Sequence, residues 1–147
     1  MTEIVVGLDD SPSAAAALRW AAEHARATGL PLRALIAWQL KSDDRAAGSK
    51  AASADARARA TRRVLDTLGS SAAEVRWSLD VVEGPPGPAL VNRSRGARLL
   101  VLGSRQHSGL RRIVLGSVSQ YCLTHAEPPV VAVPADVGDD QRRQPTS

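Results

Sequence analysis

The chain has 147 residues, 44% of them hydrophobic, and a formal net charge of +4, which suits one domain with a substantial core. No apolar run approaches membrane-spanning length, and the opening MTEIVVGLDD enters a strand without a basic segment and apolar signal core. The lone Cys122 offers no internal disulfide, so a soluble protein of the reducing cytoplasm is expected. Lys41 and Lys50 are the only lysines, and the arginines are scattered without aromatic interleaving, which argues against a dedicated nucleic-acid surface.

Ile4 to Leu8 reads as a buried strand ending at Gly7-Leu8-Asp9. Ser11-Pro12 then supplies an N-cap and a first-turn proline for a helix to about Thr28, stopped by Gly29. Leu18, Ala22 and Ala25 line one face of that helix, where small side chains allow close approach to a sheet. Pro31 to Trp38 is a second strand, and Gln39 to Lys50 is polar and aperiodic, hence a loop. A second helix is predicted over 51–68, with Ala54, Ala58, Thr61, Leu65 and Leu68 at helical spacing. Val75 to Val81 alternates apolar and polar residues, the mark of a half-exposed strand near a sheet edge. Gly84-Pro85-Pro86-Gly87-Pro88 turns into a short helix through Leu90 and Val91, ended near Gly96. Trp20, Trp38 and Trp77 are expected to fill core or interface positions.

The stretch Arg98 to Gln120 carries the strongest chemical signal. Leu99 to Leu102 is an uninterrupted apolar run, as in a strand buried on both faces. A basic, glycine-containing loop follows, closed by Gly116-Ser117 at the start of a helix to about His125. Ser117 with Gln120 predicts a capping box. Glycine lets backbone amides approach a ligand closely, and a helix start offers unpaired N–H groups and a positive dipole end. With Arg105, Arg111 and Arg112 nearby, these are the requirements of polyphosphate binding. Val130 to Val133, bracketed by Pro128, Pro129 and Pro134, is the last strand, and 135–147 reads as a polar, disordered tail.

The alternation β-α-β-α-β-α-β-α-β predicts an α/β fold, a single doubly wound domain with a five-stranded parallel sheet and helices on both faces. Ligands of such sheets sit beyond the carboxyl ends of the strands, where strand order reverses. The order 3-2-1-4-5 would bring Asp9, ending the first strand, beside Gly103, ending the fourth.

VVGLDDSPSA and the Gly103–Ser117 loop resemble the universal stress protein (UspA) family over residues 3–134, and residues 1–134 are taken as its domain. The loop is similar to the family's ATP-binding signature G-x2-G-x9-G-[S/T], with Gly103 first and Gly116-Ser117 last. Gln106 stands at the second glycine's position, and Gly109 is out of register. If that position required positive φ, a non-glycine residue would cost roughly 1–2 kcal/mol. The resemblance implies that ATP with Mg²⁺ is bound by Gly7, Leu8, Asp9, Ala37, Gly103, Ser104, Arg105, Gln106, Gly109, Gly116, Ser117, Val118 and Ser119. Within that set Asp9 would reach ribose hydroxyls or Mg²⁺, and Ala37 would touch adenine through its backbone. It also implies a homodimer through the edge strand Val130–Val133.

Each residue also has a plainer reading. Asp9 would cap the following turn, Ala37 would be core, and Ser117 would be a helix cap. Loop arginines are commonly solvated, His107 has no partner visible as a catalytic base, and His125 suits its helix end. Cys122 reads as a small buried hydrophobe. No P-loop lysine pattern, G-x-S-x-G elbow, His pair or Cys-x-x-Cys occurs, nor an S-G-G-x-D or H-x-G-H signature. The expectation is therefore a nucleotide-binding stress-signalling module without efficient catalysis. The alternatives are a member that acts through protein contacts or binds cyclic AMP, and a slow ATP-hydrolysing enzyme.

Overall fold

The computed structural model describes residues 2–9, 11–38, 49–106 and 113–135. Residues 39–48 of the loop predicted over 39–50, the tail beyond Ala135, and His107, Gly109, Arg111 and Arg112 lie outside the described residues.

β1 (Ile4–Leu8) is buried along its whole length, as its unbroken apolar sequence requires of a central parallel strand. α1 (Pro12–Thr28) starts where Ser11 accepts the Ala14 amide, with Pro12 in the first turn. It ends at Gly29, whose φ of 74° provides the left-handed stop. β2 (Leu32–Trp38) follows, then α2 (Ser49–Leu68), a 3₁₀ segment (Gly69–Glu74), β3 (Trp77–Glu83) and α3 (Pro86–Arg93). The chain continues through β4 (Leu99–Gly103), a short pair β5 (Arg105–Gln106) and β6 (Ile113–Val114), α4 (Ser117–His125) and β7 (Val130–Val133).

The five long strands form one parallel sheet in the order β3-β2-β1-β4-β7. This is the predicted order 3-2-1-4-5, with β7 as the fifth strand of the sheet. Val6 is registered against both Ala34 and Val101, so β1 is the switch point from which the sheet grows in both directions. The antiparallel pair β5–β6 adds a small ribbon to the basic loop that the sequence did not announce.

Side-chain alternation splits the core between the two faces. Ile4, Val6 and Leu8 pack with Leu18 and the alanines of α1 and with Val64 and Leu68 of α2. Val5, Leu35, Leu100 and Leu102 pack with Leu90 of α3 and Cys122 of α4. The alanines Ala14, Ala17, Ala21 and Ala25 let α1 lie low on the sheet, where Leu18 is fully buried.

Three expectations need correction. The buried stripe of α2 is Ala56, Ala60, Val64 and Leu68, whereas Ala54, Ala58 and Leu65 face outward, Leu65 with 47% exposure. Trp20 is 38% exposed and stacks on His24 on the outer face of α1 instead of filling the core. α2 also begins at Ser49, two residues before the predicted start.

Candidate functional site

The site is built where the sheet switches direction. Because β1 and β4 are hydrogen-bonded neighbours, their carboxyl ends deliver Gly7, Leu8 and Asp9 beside Leu102 and Gly103. A cavity of about 140 Å³ opens there on the α3–α4 side. Its walls include Gly7, Leu8, Asp9, Ala37, Gly103, Val118 and Ser119 from the anticipated set. Ala14, Leu35, Pro86, Leu90 and Leu102 complete the lining and were not anticipated. The Gly84–Pro88 turn was the available signal for Pro86, since it aims the start of α3 at the same strand ends.

The glycines at this point are there for space. A Cβ on Gly7 would come 2.8 Å from Leu102 Cδ2 and 3.0 Å from Leu90 Cδ2. On Gly103 it would meet Ser13 Oγ at 2.5 Å and the backbone nitrogen of Ala14 at 2.8 Å. The first glycine of the loop is thus required by close packing of β4 against the opening turn of α1. Gly116, at the other end, is extended (φ −73°, ψ 172°) and is itself the N-cap of α4.

That arrangement overturns the predicted capping box. Ser117 is the first helical residue, its side chain is exposed, and no side-chain hydrogen bond caps the helix. The Gln120 amide donates to the Gly116 carbonyl at 3.0 Å, and Gln120 Nε2 donates to the Leu115 carbonyl at 3.2 Å. Gly116 takes the extended conformation that an N-cap needs, so the cap falls one residue earlier than the serine. Ser119 is buried and donates from Oγ to the Gly103 carbonyl at 3.2 Å, tying the first turn of α4 to the end of β4. Ser104 is fully buried, donates its amide to the Val133 carbonyl at 2.8 Å and is not part of the cavity wall. Its hydroxyl has no partner among the described residues.

Gln106 lies in β5, and no non-glycine among the described residues has positive φ. The backbone there is one that any residue adopts, so the strain considered for this position does not arise. Arg105 pairs with Val114 across the same ribbon.

Asp9 serves local structure first. Its Oδ1 accepts the Ser11 amide at 2.8 Å and the Ser11 hydroxyl, fixing the turn into α1. Arg63 of α2 donates to the Asp9 main-chain carbonyl, which brings a cation to the end of β1. On this side a second, wider groove of about 890 Å³ shares Leu8, Asp9 and Ala37 with the first cavity. Arg59, Arg62, Arg63, Asp55 and Asp66 of α2 line it. None of these was singled out from sequence, where they read only as scattered charges. Among the described residues there is no cluster of three His, Cys, Asp or Glu able to hold a metal ion, and no helix long and apolar enough to cross a membrane.

The family model for the universal stress protein family matches residues 1–134. The chain belongs to the universal stress protein family. A universal stress protein of Mycolicibacterium smegmatis is 30% identical over 148 residues, covering 94% of this chain and 49% of the relative. One from Mycobacterium tuberculosis is 32% identical over 149 residues, covering 88% of this chain and 46% of the relative. The chain therefore spans about half the length of the curated relatives it matches. UspA from Lactobacillus plantarum superposes with a TM-score of 0.71 at 23% identity, over 90% of this chain and 97% of that one. A universal stress protein solved in complex with cAMP gives 0.69 at 24% identity, over 92% and 98% of the two chains. The Archaeoglobus fulgidus protein in complex with dAMP gives 0.64 at 22% identity, over 90% and 98%. At these identities the structural likeness establishes the fold.

Proposed function

We propose that the chain is an adenine-nucleotide-binding module whose ligand lies across Asp9 at the β1–β4 switch point. One observation carries the reading. Gly7, Asp9, Ala37, Gly103, Val118 and Ser119, distant in sequence, line a single cavity beside the first turn of α4. Family neighbours solved with cAMP and dAMP make an adenine nucleotide the natural class. The ligand is ATP with Mg²⁺, its phosphates at the start of α4 and the Gly103–Ser117 loop, its ribose at Asp9 and its base at Ala37. The donor set fits: one oxygen of Asp9 is held by Ser11, which leaves the other for a ribose hydroxyl or the hard metal ion. Extended backbone at Gln106 is compatible with phosphate nearby.

The module signals stress by holding nucleotide and does not turn it over efficiently. Phosphoryl transfer needs a positioned base or water-orienting group, and Asp9, the carboxylate in the cavity wall, is already engaged by Ser11. Residues 1–134 form the binding domain of a cytoplasmic protein, followed by a polar tail.

The domain pairs through β7, which lies at the sheet edge with no strand beyond it among the described residues. Pro129 and Val133 direct their carbonyls to β4, so the backbone groups of Ala132 face outward. Ala132→Pro therefore blocks strand addition while sparing the β4 ladder. Sedimentation should show a monomer for this variant, and an unchanged dimer would remove β7 as the interface.

Mass spectrometry of small molecules released on denaturing the purified protein tests the nucleotide reading. ATP or ADP near one per chain is expected, lost in a Gly116→Ala/Ser117→Ala variant. An empty protein that also gives no heat with ATP and Mg²⁺ would leave the family's protein-contact role as the function.

A further inference from the structure

The turn from β1 into α1 links three side chains in a hydrogen-bonded series that ends on Asp9. Ser11 Oγ donates its one proton to Asp9 Oδ1. It also accepts the Ala14 amide at 3.1 Å and lies 3.1 Å from Ser13 Oγ. A hydroxyl has one donor and two acceptor sites. Because the Ser11 proton is spent on the carboxylate, Ser13 is the donor in that last contact. The Ser11 hydroxyl is thereby saturated, with one hydrogen bond given and two received.

Ser13 is only 5% exposed, and among the described residues Ser11 Oγ is the one partner of its hydroxyl. Its oxygen occupies the space left by the missing side chain of Gly103, where a Cβ would come within 2.5 Å of it. A buried hydroxyl confined in this way has no water to turn to, so it keeps its bond to Ser11. Donation from Ser13 polarises the Ser11 O–H toward the carboxylate, since hydrogen bonds in series strengthen one another. Asp9 is therefore gripped at Oδ1 by both the amide and the hydroxyl of Ser11, while Oδ2 has no partner among the described residues.

We propose that Ser13 is a positioning residue of the nucleotide site: through Ser11 it fixes the Asp9 carboxylate so that Oδ2 is presented to a ribose hydroxyl. The inference rests on the reading above, in which the ribose lies at Asp9 in the wall of the narrow cavity. Ser13 itself lines neither cavity and acts only through Ser11. A carboxylate already held in its binding orientation loses less freedom when the ligand arrives, and affinity rises accordingly. Ser13 also joins the strand end that carries Asp9 to the glycine that opens the loop.

Calorimetric titration of the full chain with ATP and with 2′,3′-dideoxy-ATP, both with Mg²⁺, tests this. Ser13→Ala should weaken ATP about fivefold, the scale of one neutral hydrogen bond. It should leave the dideoxy nucleotide unchanged, because that ligand has no ribose hydroxyl for Asp9 to read. Ser11→Gly keeps an acceptable helix cap but removes the relaying hydroxyl. Its loss for ATP should be at least as large, and the S11G/S13A pair should bind no more weakly than S11G alone. Equal losses for both nucleotides in S13A, no loss for either, or additive losses in the double variant would overturn the inference and leave the nucleotide reading intact. Failure of the unaltered chain to bind either nucleotide would overturn the two together.

Discussion

The two sides of Asp9 are made differently. Toward β4 and α4 the wall is narrow, nearly uncharged and shaped by backbone packing: Gly103 against α1, Gly7 against Leu90 and Leu102, Ser119 tied to Gly103. Toward α2 it is wide and built from long charged side chains. A wall of packed backbone selects by shape and cannot change without disturbing the fold. A wall of exposed arginines and aspartates acts through charge, weakens with salt and tolerates substitution. The contrast separates residues whose loss unfolds the domain from those whose loss alters only what it binds.

The sharpest way to break that contrast is at the glycines that begin and end the loop, Gly103 and Gly116. Gly103→Ala forces a Cβ into the backbone of Ser13 and Ala14, which cannot move aside, and should cost about 1–3 kcal/mol. Gly116→Ala changes an N-cap with ordinary extended backbone and should cost about 1 kcal/mol or less. Urea denaturation of the pair measures the difference, and equal losses would show that Gly103 is not held by packing.

The packing of α2 on the sheet comes next. Val64 is fully buried under α2, and Val64→Ala should lower stability by about 2 kcal/mol. Ala58→Ser, on the outward face, should be close to neutral. A reversal of these two in thermal unfolding would mean that α2 is rotated on the sheet.

Gly7→Ala is a smaller perturbation with a specific readout. The new methyl meets the ends of Leu102 and Leu90, which can shift, so the stability change should be about 1 kcal/mol. It nonetheless intrudes on the narrow cavity and should abolish nucleotide binding in calorimetry. Undiminished affinity would move the ligand out of that cavity.

The smallest effect concerns Cys122 beneath the narrow side. Burial pushes its thiol up to about 11, above the ordinary value of 9.0. The folded state thus favours the protonated thiol. Its contribution to stability is complete below pH 9.0 and is lost as pH rises toward about 11. Thiol reagents should leave Cys122 unmodified in the folded protein near neutral pH. Rapid labelling there would contradict its burial.

The narrow side was readable because its determinants are local. Ser11-Pro12, Gly29 and the apolar runs of β1 and β4 each fix an element regardless of the rest, and strict alternation then calls for a parallel, doubly wound sheet. The face of α2 was not readable because alanines recur on several sides of it. The stripe through Ala54, Ala58, Thr61 and Leu65 keeps helical spacing just as the one through Ala56, Ala60 and Val64 does. Only contact with the sheet distinguishes them. The cap of α4 slipped by one residue because Gly116 and Ser117 are both good N-caps, and backbone geometry chose the glycine. The arginine groove left no trace in the sequence, since Arg63 approaches Asp9 only through the way α2 crosses the strand ends.

Amide chemical-shift mapping during titration with ATP and Mg²⁺ locates the ligand without assuming where it sits. The account predicts the largest shifts at Gly7, Asp9, Ala37, Gly103, Val118 and Ser119, with smaller ones along Arg59–Arg63. Shifts confined to β7 or to the outer face of α1, with the switch point silent, would contradict it.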